Sequence, residues 1–497
     1  MSIHQGVPEL VEPGFHEGSL RDPAKPPVLC VDLDGTLIKS DLFFESILLL
    51  LKQKPWSILL ILWWSLRGRS FLKRQLATKT PLAVEKLPYR QEVVEFVRSE
   101  RESGRQTLLV TAADQSMAEA IAAHLGQFDG VYGSDGAVNL KGGAKAGFLA
   151  GMLGRGNFDY IGDSHADLPV WSVARFAYVV GSPRMAKRVS RKTPVARLFE
   201  VTQPSFGAWL HSIRLLHWTK NLLVLLPVLF AHNFAWAAWR DSLVGFALFG
   251  GCASGLYVLN DLLDLHSDRL HPAKSKRPFA AGEFPLWVGV LESTLLVGCS
   301  LLISVFLDFR FAAALLGYAV LTVAYSWKLK RVPLLDVFVL SSFYTVRIWA
   351  GSLISGIPVS DWLMAFSLFF FLSLAMAKRH SELERASNLV EEGNSGRGYV
   401  VKDRELLAMF GTASSFAAVV ILCLYARSPV VNSLYGSSTE LLWLCPLVLY
   451  WLTRVWLLAG RGELDHDPVM FAVRDRTSWV LATLAVAVLM IGGFHTR

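Results

Sequence analysis

Two patterns of apolar residues divide the chain. Between residues 26 and 200, short apolar runs (VLCVD, TLLVT, FDYIGD and FAYVVG) alternate with polar, helix-compatible segments. Such alternation predicts a parallel sheet flanked by helices, and so an α/β domain over 26–200. From residue 221 the pattern changes to long apolar stretches at 221–238, 242–259, 286–306, 310–327, 334–354, 362–377, 406–426, 440–459 and 478–494. At about 1.5 Å per residue each is long enough, or nearly so, to cross a bilayer. The expectation is an all-α membrane domain of nine transmembrane helices within 205–497.

One segment fits neither pattern. FFESILLLLKQKPWSILLILWWSLRG, 43–68, is apolar enough for membrane contact, but Lys52, Lys54 and Pro55 split it into pieces too short to span. It reads either as two helices covering the soluble domain or as a hairpin in the headgroup region, with the second slightly favoured.

Composition sharpens the division. The chain is 53% hydrophobic with 16 Trp and 30 Phe, an excess that lies almost wholly after residue 205 and sets that half apart from soluble enzymes. The net charge of +8 is not a nucleic-acid signal, because Lys and Arg cluster at the ends of apolar stretches. They follow the even-numbered stretches: Arg269, Lys274, Lys276 and Arg277; Lys328, Lys330 and Arg331; Lys378, Arg379, Arg385, Arg397 and Lys402; Arg461, Arg474 and Arg476. The positive-inside rule then places these connections and the soluble domain in the cytoplasm, and the C-terminus outside, in a multi-pass protein of a bacterial-type inner membrane. Five Cys without a CxxC pair indicate neither a zinc site nor a disulfide framework. Residues 1–25, rich in Pro and acidic residues and without an apolar core, read as a flexible tail and not a signal peptide.

The soluble domain carries four short motifs in order. PVLCVDLDGT places Asp32 and Asp34 after a strand, and TLLVTAAD places Thr111 at a second strand end. GGAKAGFL supplies Lys145, and YIGDSHADLPVW supplies Asp163 and Asp167 at a third strand end. Ligands bind beyond the carboxyl ends of strands in a parallel sheet, so these residues are expected to share one crevice. Carboxylates, a cation and a hydroxyl are what phosphoryl transfer assisted by Mg²⁺ requires. The set resembles the haloacid-dehalogenase-like hydrolases, a Rossmann-like fold. The resemblance implies a phosphatase in which Asp32 attacks phosphorus and Asp34 moves the proton. It further implies that Thr111 and Lys145 hold the phosphate, and that Asp32, Asp34, Asp163 and Asp167 serve the metal. The insertion at about 38–104 resembles a cap, and its apolar character suits a phosphate carried by a lipid.

The connection after the second apolar stretch reads NDLLDLHSDRLHPAKSKRPFAAG. Asn260, Asp264 and Asp268 stand at i, i+4 and i+8, with Asp261 three before Asp264, a spacing that puts them on one face of a helix. Like charges so arranged call for a cation, and Mg²⁺ shared with a diphosphate fits. The following Arg269, Lys274, Lys276 and Arg277 suit further phosphate oxygens.

This stretch resembles the first aspartate-rich motif of the UbiA superfamily of intramembrane prenyltransferases. The second motif of that superfamily is incomplete here, with Asp336 present but Leu340 four residues on. RLLHWTKNLLVLLPVLF, YSWKLKRVPLLDV and LAMAKRHSEL are similar to the decaprenyl-phosphate phosphoribosyltransferase branch. That likeness implies Asp264 and Asp268 as catalytic, and Asn260, Asp261, Asp264, Asp268 and Asp336 as Mg²⁺ ligands. It implies substrate contacts from Lys220, Lys274, Arg277, Tyr325, Lys330, Arg347 and Lys378. The substrates implied are polyprenyl phosphate and phosphoribosyl diphosphate; the pairing of the two motif sets then leads to the expectation that the soluble domain trims the 5-phosphate from the product. An aromatic prenyltransferase using a polyprenyl diphosphate, joined to an independent phosphatase or docking module, is the competing reading.

Overall fold

The computed structural model describes residues 26–135, 139–202, 204–231, 235–272, 274–388, 398–428, 440–464 and 468–494. The expected tail 1–25 and Arg397 lie outside them. By internal contacts the chain forms two units: Met1–Ser205 with Leu263–Trp287, and Phe206–Leu262 with Val288–Arg497. The first unit is therefore built from two separate lengths of chain, the second of which is the charged connection.

In the first unit the apolar runs form strands β1 (Val28–Val31), β2 (Thr107–Asp114), β3 (Gly130–Ser134), β4 (Phe158–Gly162), β5 (Ala177–Gly181) and β6 (Val195–Glu200). All pair in parallel, in the order β3-β2-β1-β4-β5-β6. Successive side chains of a strand point to opposite faces. Leu29 and Val31 accordingly enter one core and Val28 and Cys30 the other, which is why β1 is apolar throughout. The chain crosses from one side of β1 to the other between β3 and β4, so a crevice opens beyond the ends of β1 and β4.

The insertion after β1 folds as helices α1 (Leu42–Gln53), α2 (Ser57–Leu66) and α3 (Arg69–Lys79). They share a small core of Leu50, Trp64, Leu72 and Leu76. Asp41 caps α1, accepting from the backbone N–H of Phe43 at 2.9 Å, and the chain breaks at Lys54-Pro55, where a helix interior would clash.

The second unit is a helical bundle. Among the described residues seven helices are long and apolar enough to cross a membrane: Trp236–Leu263, Leu286–Leu307, Phe309–Trp327, Leu335–Ser355, Asp361–Arg385, Asp403–Ala426 and Glu440–Gly460. An eighth span exists if Phe206–Ser212 and Leu215–Phe230, bent by 52°, count as one. Among the described residues the count is thus seven or eight against an expected nine. The first apolar stretch is interrupted by a 3₁₀ segment, Leu215–Leu225, and the last forms the 19-residue helix Arg476–Phe494, outside those seven. Trp236–Leu263 is the most enclosed, whereas Leu286–Leu307 turns most of its surface outward. Close packing depends on Gly351, where a Cβ would lie 2.0 Å from the Val224 carbonyl oxygen. Elsewhere Trp456 Nε1 donates to Ser373 Oγ at 2.9 Å, and the Ser373 and Ser415 hydroxyls bond at 2.6 Å, polar contacts of the kind that join helices where water is absent.

Candidate functional site: a carboxylate cleft and an aspartate-rich connection

Asp32 is the first residue beyond β1, and its N–H still bonds the Ile161 carbonyl of β4 at 3.0 Å. Asp163 is the first beyond β4. Gly35 (φ +76°) lets the two meet, since a Cβ there would stand 2.2 Å from Asp163 Oδ2. One oxygen from each of Asp32, Asp163 and Asp167 lies within 4.8 Å of the others, the one such group of three among the described residues. Lys145, carried by helix Gly143–Leu153, donates to Asp32 Oδ1 at 2.8 Å and to the Tyr160 hydroxyl at 2.8 Å. Tyr160 in turn donates to Asp167 Oδ1 at 2.8 Å. Asp34 stands apart from the cluster and accepts the Leu42 N–H at 3.0 Å.

Enclosure and mutual repulsion set the protonation of these groups. Burial, reinforced by Asp167 and opposed by Lys145, raises Asp32 to about 6. Burial, then the charge of Asp41, raises Asp34 to about 8, against the pull of the Leu42 N–H. Asp163 is pushed well above its ordinary value by burial and then by Asp32 and Asp167. Burial pulls Lys145 down, but Asp32 and Asp167 outweigh it and hold the ammonium above its ordinary value. Three carboxylates clustered this closely suit a hard divalent cation with oxygen ligands, and Mg²⁺ fits Asp32, Asp163 and Asp167.

The cleft is a cavity of about 800 Å³. Asp32, Asp34, Lys145, Asp163 and Asp167 line its floor, Phe43, Phe44 and Lys73 come from the cap helices, and Gly282, Glu283, Pro285, Leu286 and Trp287 come from the connection. Thr111 departs from expectation. It lies inside β2 and not at its end, at a register irregularity, and its buried hydroxyl accepts the Ala113 N–H at 3.0 Å. Ala112 and Ala113 line the cavity at this strand. Tyr160 and Lys73 were not foreseen. Lys73 reaches from α3 to the Ala112 carbonyl at 2.6 Å, and burial lowers its basicity despite the nearby Asp34 and Asp41.

The aspartate-rich connection also departs from its expected form. Helix Trp236–Leu263 stops one residue before Asp264, and a second short helix, Leu265–Leu270, follows. Asn260, Asp264 and Asp268 therefore do not share one uninterrupted helical face, although the Asp268 N–H still bonds the Asp264 carbonyl at 2.8 Å. Each aspartate has a cation beside it: Arg214 at 2.5 Å from Asp261, Lys52 at 2.9 Å from Asp264 and Arg277 at 2.7 Å from Asp268. Repulsion between the carboxylates is relieved pairwise, and Lys52 belongs to α1. Lys274 is exposed in the turn that follows.

In the bundle, Asp336 is fully buried at 2.8 Å from Arg379 Nε and accepts from the Tyr399 hydroxyl. Its charge is met by a guanidinium. Arg347, expected at a substrate, is spent on the protein: its guanidinium donates to Asn221 Oδ1 at 2.8 Å, the Tyr318 hydroxyl at 3.1 Å and the Phe343 carbonyl. Lys220 lies over the Tyr344 ring at 5.5 Å, and Tyr325 meets Phe343 edge-on at 5.7 Å. Lys330 sits on the turn Leu329–Arg331, and Lys378, half-buried, precedes Arg379.

A sheet with a carboxylate and lysine cleft, on a chain that also carries a bundle of spanning helices and an aspartate-rich connection, defines a multi-pass membrane enzyme with two phosphate-handling parts. The chain belongs to the UbiA prenyltransferase family, whose model matches residues 221–479. The model of the haloacid dehalogenase-like hydrolases matches residues 29–172. Over 94% of its length the chain is 40% identical to "Uncharacterized protein y4nM" of Sinorhizobium fredii, of which the match covers 91%. It is 36% identical to the "Decaprenyl-phosphate phosphoribosyltransferase" of Mycolicibacterium smegmatis, over 38% of this chain and 63% of that protein. A solved UbiA homolog from Archaeoglobus fulgidus bound to DMAPP and Mg²⁺ is similar in backbone, with a TM-score of 0.44 and 19% identity over 57% of this chain and 99% of that one.

Proposed function

We propose that the membrane domain, about 205–497, transfers 5-phosphoribose from phosphoribosyl diphosphate to a polyprenyl phosphate. The hydrolase domain, 26–200 with its cap at about 38–104, then removes the 5-phosphate to leave polyprenyl-phosphoryl-ribose. The similarity to a decaprenyl-phosphate phosphoribosyltransferase supports the first step. The observation that carries the pairing is the cavity wall. Gly282, Glu283, Pro285, Leu286 and Trp287 line the hydrolase cleft, and Leu286 is also the first residue of the spanning helix Leu286–Leu307. This continuity supports a substrate phosphate borne by a membrane lipid.

In the transfer, the lipid phosphate oxygen attacks the ribose C1 carbon as the bond to diphosphate breaks. Asn260, Asp261, Asp264 and Asp268 would hold Mg²⁺, as would Asp336 once parted from Arg379. Lys220, Lys274, Arg277, Tyr325, Lys330 and Lys378 would bind phosphate and ribose.

In the hydrolysis, Asp32 attacks phosphorus and the bond to the ribose 5-oxygen breaks, while Asp34 gives that oxygen its proton. Asp34 then takes a proton from the water that attacks the aspartyl-phosphate and releases phosphate. Lys145 steadies Asp32 and the phosphoryl oxygens. Mg²⁺ on Asp32, Asp163 and Asp167 would neutralise charge on the phosphoryl group. The positive-inside pattern supports placing both chemistries on the cytoplasmic face of an inner membrane, with the C-terminus outside.

The test uses purified protein in detergent with Mg²⁺, polyprenyl phosphate and labelled phosphoribosyl diphosphate, the lipid being analysed by mass spectrometry. Wild type is expected to form the ribosyl lipid, Asp32→Asn to accumulate the phosphoribosyl lipid, and Asp264→Asn to form neither. No labelled lipid from any folded preparation would overturn the reading and leave aromatic prenyl transfer in its place.

A further inference from the structure

Helix α2, SILLILWWSL, is apolar around nearly its whole circumference. Ser57, Ile61 and Trp64, at helical spacing, face the small core of the cap. The rest is left open: Ile58 is 52% exposed, Leu59 69%, Leu62 57%, Trp63 46% and Leu66 86%, with Trp56 at 61% just before the helix. An apolar surface this continuous marks an interaction site.

Its length rules out spanning, since ten residues reach only about 15 Å. Its setting selects the occupant. The connection Leu263–Trp287 leaves one spanning helix, Trp236–Leu263, and enters the next, Leu286–Leu307, so its two ends lie at a bilayer surface. Helix α1 holds that connection through Glu45 with Arg269 and Lys52 with Asp264, and α2 begins four residues after α1 ends. Charge agrees. Between Ser46 and Val84 there are seven Lys and Arg (Lys52, Lys54, Arg67, Arg69, Lys73, Arg74 and Lys79) and no Asp or Glu. Arg67 lies 4.0 Å over the Trp63 ring, an arrangement that keeps a cation beside an apolar surface. An apolar helix flanked only by cations matches the boundary between acyl chains and anionic headgroups.

We propose that α2 lies in the plane of the membrane, its open face seated in the outer acyl layer of an anionic lipid leaflet. The proposal is independent of which phosphate the cleft hydrolyses. It gives the cap a membrane contact of its own in addition to the spanning helices, next to α1 and α3, which line the cleft.

The test places an environment-sensitive fluorophore at Leu59→Cys in full-length protein carrying Cys299→Ser, in nanodiscs of phosphatidylcholine and phosphatidylglycerol. A matched probe at Glu95→Cys, on the exposed side of helix Gln91–Glu102, reports water. The expected result is a blue-shifted probe at residue 59, quenched severalfold more by lipids spin-labelled near the headgroup than by aqueous iodide, with the reverse at residue 95. Quenching at residue 59 by iodide alone would place α2 in water and overturn the proposal. Protection from both quenchers would put a protein surface over α2 and overturn it equally.

Discussion

Arg269 grips Glu45 with both arms of its guanidinium, Nη1 at 2.9 Å from Oε2 and Nη2 at 2.7 Å from Oε1. The two residues are 224 positions apart, and their side chains are only 6% and 5% exposed. This pair, with Lys52 on Asp264, fixes the aspartate-rich connection to the cap of the hydrolase.

Glu45→Ala is expected to destabilise the first unit by about 3–5 kcal/mol, because it leaves a buried guanidinium without its counter-ion. Replacing both residues, Glu45→Met with Arg269→Met, is expected to recover much of that loss. Thermal unfolding of the two variants checks the coupling, and the transfer rate at matched folded fraction reports whether the pair also positions the connection.

Lys145→Met is expected to lower phosphate release by about 10²–10³-fold, the range for removing one preorganised donor from a developing charge. Transfer to the lipid is expected to continue, so the phosphorylated product accumulates. Asp163→Asn, which takes a carboxylate from the cluster of three, is expected to raise the Mg²⁺ concentration needed for half-maximal phosphate release. A Mg²⁺ titration of both variants, read as free phosphate, separates the two effects.

Asp336→Asn is expected to cost about 1.5–3 kcal/mol in the bundle, because Arg379 loses its buried carboxylate but keeps Glu382, and Asp336→Asn with Arg379→Gln is expected to cost less. Size-exclusion profiles and thermal unfolding in detergent measure this. A double variant that folds yet fails to transfer would assign Asp336 a direct part in the chemistry beyond its ion pair.

Gly351→Ala is expected to push helix Leu335–Ser355 off the segment around Val224, at about 1–3 kcal/mol from overpacking. Gly460→Ala, where an added Cβ meets nothing within 4 Å, is the matched control. The two are compared by melting temperature in the same detergent.

The sequence carried most of this in local signals. Asp32 and Asp163 follow apolar runs directly, and the rule for parallel sheets is enough to bring them together with Lys145 and Asp167. The helices of the bundle were equally legible where hydropathy is continuous. What escaped depends on contacts far apart in the chain or on subtle backbone breaks. Tyr160 is an inward residue of β4, and nothing near it announces that its hydroxyl joins Lys145 to Asp167. No Gly or Pro marks the interruption at Asp264, and none marks the 52° bend between Phe206–Ser212 and Leu215–Phe230. Thr111 looked like a strand end because the irregularity in the β2 and β3 pairing leaves no trace in the residues themselves. The sequence likewise does not show that Asp336 and Arg347, expected at ligands, pair with Arg379 and Asn221, because a charge buried in a bundle finds protein partners far along the chain.

The divided first unit has a bearing on inheritance. Because Leu263–Trp287 folds with Met1–Ser205, a break in the gene at residue 205 separates the two lengths of chain that make up the first unit. Fission at residue 205 would deliver a hydrolase lacking the Gly282–Trp287 side of its cleft, and would leave on the other product a charged loop deprived of Glu45 and Lys52. Recombination that exchanges the hydrolase for another leaves behind one wall of the old cleft, in a segment lying between two membrane spans, and that segment is where compensating substitutions are expected to gather.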